Sequence, residues 1–187
     1  YINSLQKYLK KMPDFNNFES INLISNKAAI LHIGCELEKF NQYKINKNNK
    51  KPLILWNHRW EFDKNPELFF NILFKLKDEG IDFELAILGE KFKEYPRIFD
   101  IAQSKLSSNI VQFGYCNTFE EYAKWLWKAD FLPVTSNQDF FGASIMEAVY
   151  CNTIPLLPNR LTYPELFYKK KYPELFYNDE NNLLIKL

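Results

Sequence analysis

At 187 residues, with 47% hydrophobic side chains, seventeen Phe and eleven Tyr, the chain has the apolar surface for a sizeable core, which excludes disorder over most of its length. Its net charge of +1 supplies no field strong enough to argue for nucleic acid or an anionic membrane, and the basic run Lys47, Lys50 and Lys51 reads as a solvated linker. Cys35, Cys116 and Cys151 form no CxxC pair and leave one over, so the expectation is reduced thiols in the cytoplasm, without a disulfide framework or a metal site.

No apolar run approaches the ~20 residues of a membrane span, and the opening YINSLQKYLKKMPDF lacks the layout of a signal peptide. The missing initiator Met suggests a fragment. Residues 1 to 12 carry Ile2, Leu5, Tyr8, Leu9 and Met12 at helical spacing and end at Pro13, which predicts one amphipathic helix. From Asp14 to Lys51 the sequence is polar and rich in Asn and Lys, apart from the apolar AAILHIG. We therefore expect a boundary near residue 50, with 1–50 as a leftover segment of another domain plus a linker and 51–187 as a domain of its own.

After Pro52 the pattern alternates. PLILWNH reads as a buried strand, ELFFNILFKLKDEG as a helix closing at Gly80, FELAILG as a strand and YPRIFDIAQSKL as a helix. NIVQFGY, the helix FEEYAKWLWKA, the strand DFLPVTS, the helix GASIMEAVYC, the strand TIPLLP, a loop with a short helix and a last strand near NLLIKL complete the series. This order predicts an α/β fold, a Rossmann-like parallel sheet with helices on both faces. The hexapeptide YPELFY occurs twice, at 163–168 and 172–177, and two copies nine residues apart cannot form a solenoid.

Ligands of such sheets sit beyond the carboxyl ends of the strands. The candidate residues expected there are His58, Arg59, Glu61 and Lys64, Gly89 and Glu90, Gly114 and Tyr115, Asn137 to Gly142, and Asn159 to Glu165. Arg59 and Lys64 follow the first strand, where a planar guanidinium and a compact ammonium suit a pyrophosphate; the alternative is surface pairing with Glu61 or Asp63. His58 beside them is either a ligand to a hydroxyl or phosphate or a satisfied structural histidine.

Asp139 and Glu147 stand seven residues apart, with Phe140, Phe141 and Gly142 at the turn between them. A carboxylate at Glu147 can accept two hydrogen bonds from a ribose diol, or it can simply face solvent. Asp139 can cap the helix, and Glu165, after Pro164, can cap the next one. Trp125 and Trp127 are read as packing residues. No GxGxxG or GxxxxGK loop occurs, which argues against NAD enzymes and P-loop NTPases.

Taken together, Arg59, Lys64, Asp139, Gly142, Glu147 and Glu165 resemble the C-terminal, donor-binding half of retaining GT-B glycosyltransferases of the group 1 type. The first acid of that family's pair is usually Glu and here is Asp139, and the Gly that usually precedes the loop Arg is here His58. More narrowly, ILWNHRWEFDKNPELFF and DFFGASIMEAVYCNTIPLLPNRLTYPELF are similar to the tRNA-queuosine α-mannosyltransferase family and its bacterial relatives. The opening NSLQKYLKKMPDF resembles the last part of that family's N-terminal domain, so most of the acceptor-binding half is expected to be missing.

The resemblance implies retaining transfer of mannose from GDP-mannose to queuosine in tRNA, with no cofactor and no essential metal. It implies that Arg59 and Lys64 bind the diphosphate, with His58 beside them, that Glu147 binds the ribose, and that Asp139 with the Phe141, Gly142 and Ala143 backbone contacts the hexose. Glu165 would lie near the donor. The partners it implies are the nucleotide sugar, the acceptor domain of the same protein and a tRNA reached through the full-length enzyme. An isolated donor half is expected to be inactive, since the two-domain cleft brings donor and acceptor together. Two other classes fit these residues, a GT-B-like nucleotide-sugar epimerase and a non-catalytic nucleotide-binding or scaffold module.

Overall fold

The computed structural model describes every residue except 1, 15 and 32, and the chain divides into two compact units, residues 1–34 and 35–187. In the first, helix α1 (Ile2–Leu9) packs with α2 (Glu19–Lys27), and neither fully buries a side chain. The expected opening helix is thus α1, with Tyr1 outside the described residues; α2 forms inside the polar stretch for which no helix was expected.

The division falls between Gly34 and Cys35 rather than near residue 50. The physical reason is that the Asn- and Lys-rich segment is bonded into the second unit. Phe40, in a 3-10 turn at Glu38–Tyr43, is fully buried, and its carbonyl accepts from Trp127 Nε1 at 2.9 Å. Lys47 Nζ donates to the carbonyl of Asn152 at 2.8 Å, and Asn49 Nδ2 donates to Lys128 O and Asp130 Oδ2, each at 2.7 Å.

Six strands build the sheet: β1 (Leu53–Trp56), β2 (Glu84–Ile87), β3 (Ile110–Phe113), β4 (Phe131–Pro133), β5 (Ile154–Pro158) and β6 (Phe176–Tyr177). Their order is β3-β2-β1-β4-β5-β6 and every pairing is parallel. Helices α3 (Pro66–Asp78), α4 (Ile98–Lys105), α5 (Phe119–Lys128), α6 (Ala143–Tyr150), α7 (Tyr163–Leu166) and α8 (Glu180–Lys186) connect or flank them. Each strand through β5 lies where an apolar run predicts it.

Alternation along the strands divides the core in two. Leu53 and Leu55 of β1, with Ala86 and Leu88, join the cluster that holds Phe40, Leu126 of α5, Ile145 of α6 and Tyr163 of α7. Ile54 and Trp56, with Leu85 and Ile87, join the opposite cluster, which holds Phe69 and Phe70 of α3, Phe99 of α4 and Leu183 of α8. Trp60 stacks on Phe99 at 4.2 Å between ring centroids, a pairing worth about 0.5–1.5 kcal/mol beyond its buried area.

The chain end differs from expectation. NLLIKL forms helix α8 and not a strand, because Asp179 Oδ1 caps it by accepting from Asn182 N at 2.9 Å and only Leu183 is fully buried, leaving no run for a strand to bury on both faces. The sixth strand comes instead from the second YPELFY copy, whereas the first copy supplies α7.

Candidate functional site

The strand order reverses direction between β1 and β4, which share β1 as the first strand of one wing and β4 as the first of the other. Loops leaving such neighbours part to opposite sides and open a crevice at their carboxyl ends. Two adjoining cavities occupy it. The larger, about 390 Å³, is lined by Asn57, Arg59, Leu88 to Glu90, Tyr115 to Phe119, Tyr122 and Glu147. The smaller, about 290 Å³, is lined by Asn57 to Arg59, Lys64, Asp139 and Gly142 to Ser144. Asn57 and Arg59 belong to both.

Around the smaller cavity, Lys64 Nζ donates to the carbonyl of Gln138 at 3.0 Å and lies 3.2 Å from Asp63 and 3.8 Å from Asp139. Lys64 and Asp139 are both largely buried side chains. Asp139 Oδ2 also accepts from the hydroxyl of Tyr163 at 3.1 Å. It is therefore not a helix cap: the N-cap position of α6 is Gly142, with φ of 75°, and the helix has no side-chain cap at all. The start of α6, Gly142 to Ser144, lines this cavity together with Lys64, and the orphan N–H groups of a helix start beside an ammonium suit an anionic group.

His58 is buried against this cavity, with Nδ1 3.3 Å from Ser144 Oγ and no hydrogen-bond partner for Nε2 among the described residues. Burial, reinforced by the Lys64 charge, lowers its pKa to about 4, so it is neutral at physiological pH. Arg59 has a more exposed side chain and pairs with Glu61 at 3.0 Å, the surface pairing weighed above, while still forming the rim of both cavities.

In the larger cavity Glu147 projects from α6, and its Oε2 accepts from the Tyr122 hydroxyl at 2.7 Å. Tyr122 rides on α5, whose start is set by Thr118 Oγ1 accepting from Glu121 N at 3.2 Å. Among the described residues no three His, Cys, Asp or Glu side chains converge as a metal site.

The structure therefore brings His58, Arg59, Lys64, Asp139, Gly142, Ala143 and Glu147 to one crevice. Phe141 and Glu165 line neither cavity; Glu165 lies on the exposed side of α7. The loop after β5 acts at a distance, because Arg160 Nη2 donates to the carbonyls of Thr135 and Ser136 at 3.0 Å and braces the start of the Asp139 loop. Sequence reasoning missed Asn57, Tyr122 and Ser144. Asn57 carried a signal, a polar residue directly after a wholly apolar strand at the ligand edge, and its Nδ2 donates to Ser144 O at 2.7 Å.

A six-stranded parallel sheet with helices on both faces and its crevice at the strand reversal is the fold of one half of a GT-B glycosyltransferase. The chain belongs to the glycosyl transferases group 1 family, whose model matches residues 38–182. It is 34% identical to the tRNA-queuosine alpha-mannosyltransferase of Drosophila melanogaster across all of this chain and 50% of that protein. The chain thus spans about half the length of the curated relative. Among solved structures, a glycosyltransferase from Rickettsia africae matches 98% of this chain and 55% of its own at a TM-score of 0.69 and 17% identity. Sucrose-phosphate synthase from Thermosynechococcus elongatus matches 73% of this chain and 35% of its own at a TM-score of 0.58 and 19% identity. Among the described residues no helix is long and apolar enough to cross a membrane.

Proposed function

We propose that this chain is the donor-binding half of a retaining, metal-independent mannosyltransferase that takes mannose from GDP-mannose and delivers it to queuosine in tRNA. An acceptor domain of the same protein, preceding this one, completes the cleft. The observation that carries the reading is the pair of cavities joined at Asn57 and Arg59, one lined by Glu147 and the other by Lys64, Asp139 and the start of α6. A nucleoside in the first and a diphosphate-linked hexose in the second match that division of chemistry.

In this reading Lys64, the first-turn N–H groups of α6 and the rim guanidinium of Arg59 hold the diphosphate and stabilise the charge it gains as the leaving group. Glu147 accepts from the ribose. Asp139, fixed between Lys64 and Tyr163, accepts from a hexose hydroxyl. Neutral His58 takes no proton at physiological pH and acts as a hydrogen-bonding wall of the cavity. The 34% identity to a queuosine mannosyltransferase supports mannose and tRNA as donor sugar and acceptor, and three unbridged cysteines support a cytoplasmic location.

Thermal unfolding of this chain with GDP, UDP, ADP and GDP-mannose, each with and without a chelator, tests the proposal. A ligand at 100 times its Kd adds about 2.7 kcal/mol, and the expected order places GDP and GDP-mannose first with no effect of the chelator. Preference for UDP would overturn the donor assignment. Absence of a shift with any nucleotide would overturn the donor-binding reading itself.

A further inference from the structure

Glu147 does not hang free in its cavity. Its Oε2 accepts from the Tyr122 hydroxyl at 2.7 Å, while Oε1 takes no hydrogen bond among the described residues. A carboxylate in this state has one oxygen committed and one offered, and its rotation is arrested by the first contact. The tyrosine is itself held in place. Its ring lies 6.2 Å from that of Phe40 and 6.4 Å from that of Phe119. Burial and the Glu147 charge raise the Tyr122 pKa well above its ordinary value, so the hydroxyl keeps its proton and remains a donor.

We infer that Tyr122 is a positioning residue that aims Glu147 at the ribose and thereby sets the preference of the site for ribonucleotides over nucleotides lacking the sugar hydroxyls; this rests on the nucleotide-sugar reading. The pair bridges two helices, Tyr122 on α5 and Glu147 on α6. It also gives the segment before β1 a part in the site, since fully buried Phe40 supports the tyrosine ring from there.

The test measures Kd by calorimetry for GDP and for 2′,3′-dideoxy-GDP on this chain and on Tyr122→Phe, Glu147→Ala and the double variant. Phenylalanine keeps the ring against Phe40 and Phe119, and cooperative melting without ligand checks the fold. The parent is expected to favour GDP by about tenfold or more, the scale of one hydrogen bond to a charged group. Tyr122→Phe is expected to cut that ratio to about threefold or less without changing dideoxy-GDP affinity, and to add nothing in the Glu147→Ala background. A Tyr122→Phe variant that keeps the ratio, or that weakens both nucleotides equally, overturns the inference and leaves donor binding intact. Equal binding of both nucleotides by the parent overturns the ribose role of Glu147 together with the inference, and no binding of either overturns the donor-site reading as well.

Discussion

Gly89, two residues past the end of β2, packs so tightly on the carbonyl of His58 that a Cβ at that position would stand 2.0 Å from the oxygen. Its φ of 98° is also one that L side chains rarely adopt. The contact sets the spacing between the loops after β1 and β2, which line the larger cavity together. Gly89→Ala is therefore expected to cost roughly 2–4 kcal/mol and to weaken nucleotide binding in the surviving folded protein. Urea denaturation reads the first effect and calorimetry the second; a loss below about 1 kcal/mol would show that the loops can part at little cost.

His58 makes stability depend on pH in a defined direction. The unfolded side chain takes up a proton near pH 6.5, whereas the buried one does so only near about 4. Between these values the unfolded state binds the extra proton, so stability is fully present above about pH 6.5 and falls as pH drops towards about 4, by roughly 3 kcal/mol in all. His58→Gln is expected to flatten this segment of the profile, measured by denaturation at a series of pH values. An unchanged slope would place the acid sensitivity elsewhere.

Asp130 ties the segment before β1 to the sheet. Its Oδ2 accepts from Asn49 Nδ2 at 2.7 Å and from Leu53 N at 2.9 Å, with Lys47 Nζ 3.8 Å from Oδ1. Asp130→Ala leaves these donors without their acceptor and is expected to cost about 1–3 kcal/mol at unchanged m-value. A cost under about 0.5 kcal/mol would mean that residues 47–49 are held by their remaining bonds alone.

The two copies of YPELFY offer a comparison within one chain. Tyr177, ending the second copy, is buried and donates to Val134 O at 2.7 Å, whereas its counterpart Tyr168 is 70% exposed. Tyr177→Phe is expected to cost about 1–2 kcal/mol and Tyr168→Phe less than about 0.5 kcal/mol, by thermal or urea unfolding. Equal costs would contradict the assignment of the second copy to the sheet.

Much of the fold was legible because the signals that define it are local. A run such as LILW needs only its own composition to read as a strand buried on both faces, and the helical spacing of FEEYAKWLWK identifies α5 without reference to any partner. The polar loops at the carboxyl edge follow from that order, which is why His58, Lys64, Asp139 and Glu147, expected at that edge, line the crevice there. Local signals failed where long-range contacts decide: residues 1–50 read as a remnant of another domain plus a linker, yet Phe40 is held by Trp127, 87 positions away. Likewise NLLIKL has strand-like composition, and its cap at Asp179 together with burial of Leu183 makes it α8.

What the amino-acid order alone determined is the sequence of strands and helices from β1 to α7, the sidedness of the sheet and the edge at which ligands of such sheets sit, since each depends on periodicity within a few residues. Tertiary structure decided which polar residues work as pairs. Tyr122 meets Glu147 across 25 positions and Tyr163 meets Asp139 across 24, and no spacing rule reaches so far. It also decided the fate of YPELFY: identical residues start α7 in one copy and enter β6 in the other. Local propensity is the same in both, and only the neighbours differ, with β5 pairing Leu157 and Pro158 to the second copy.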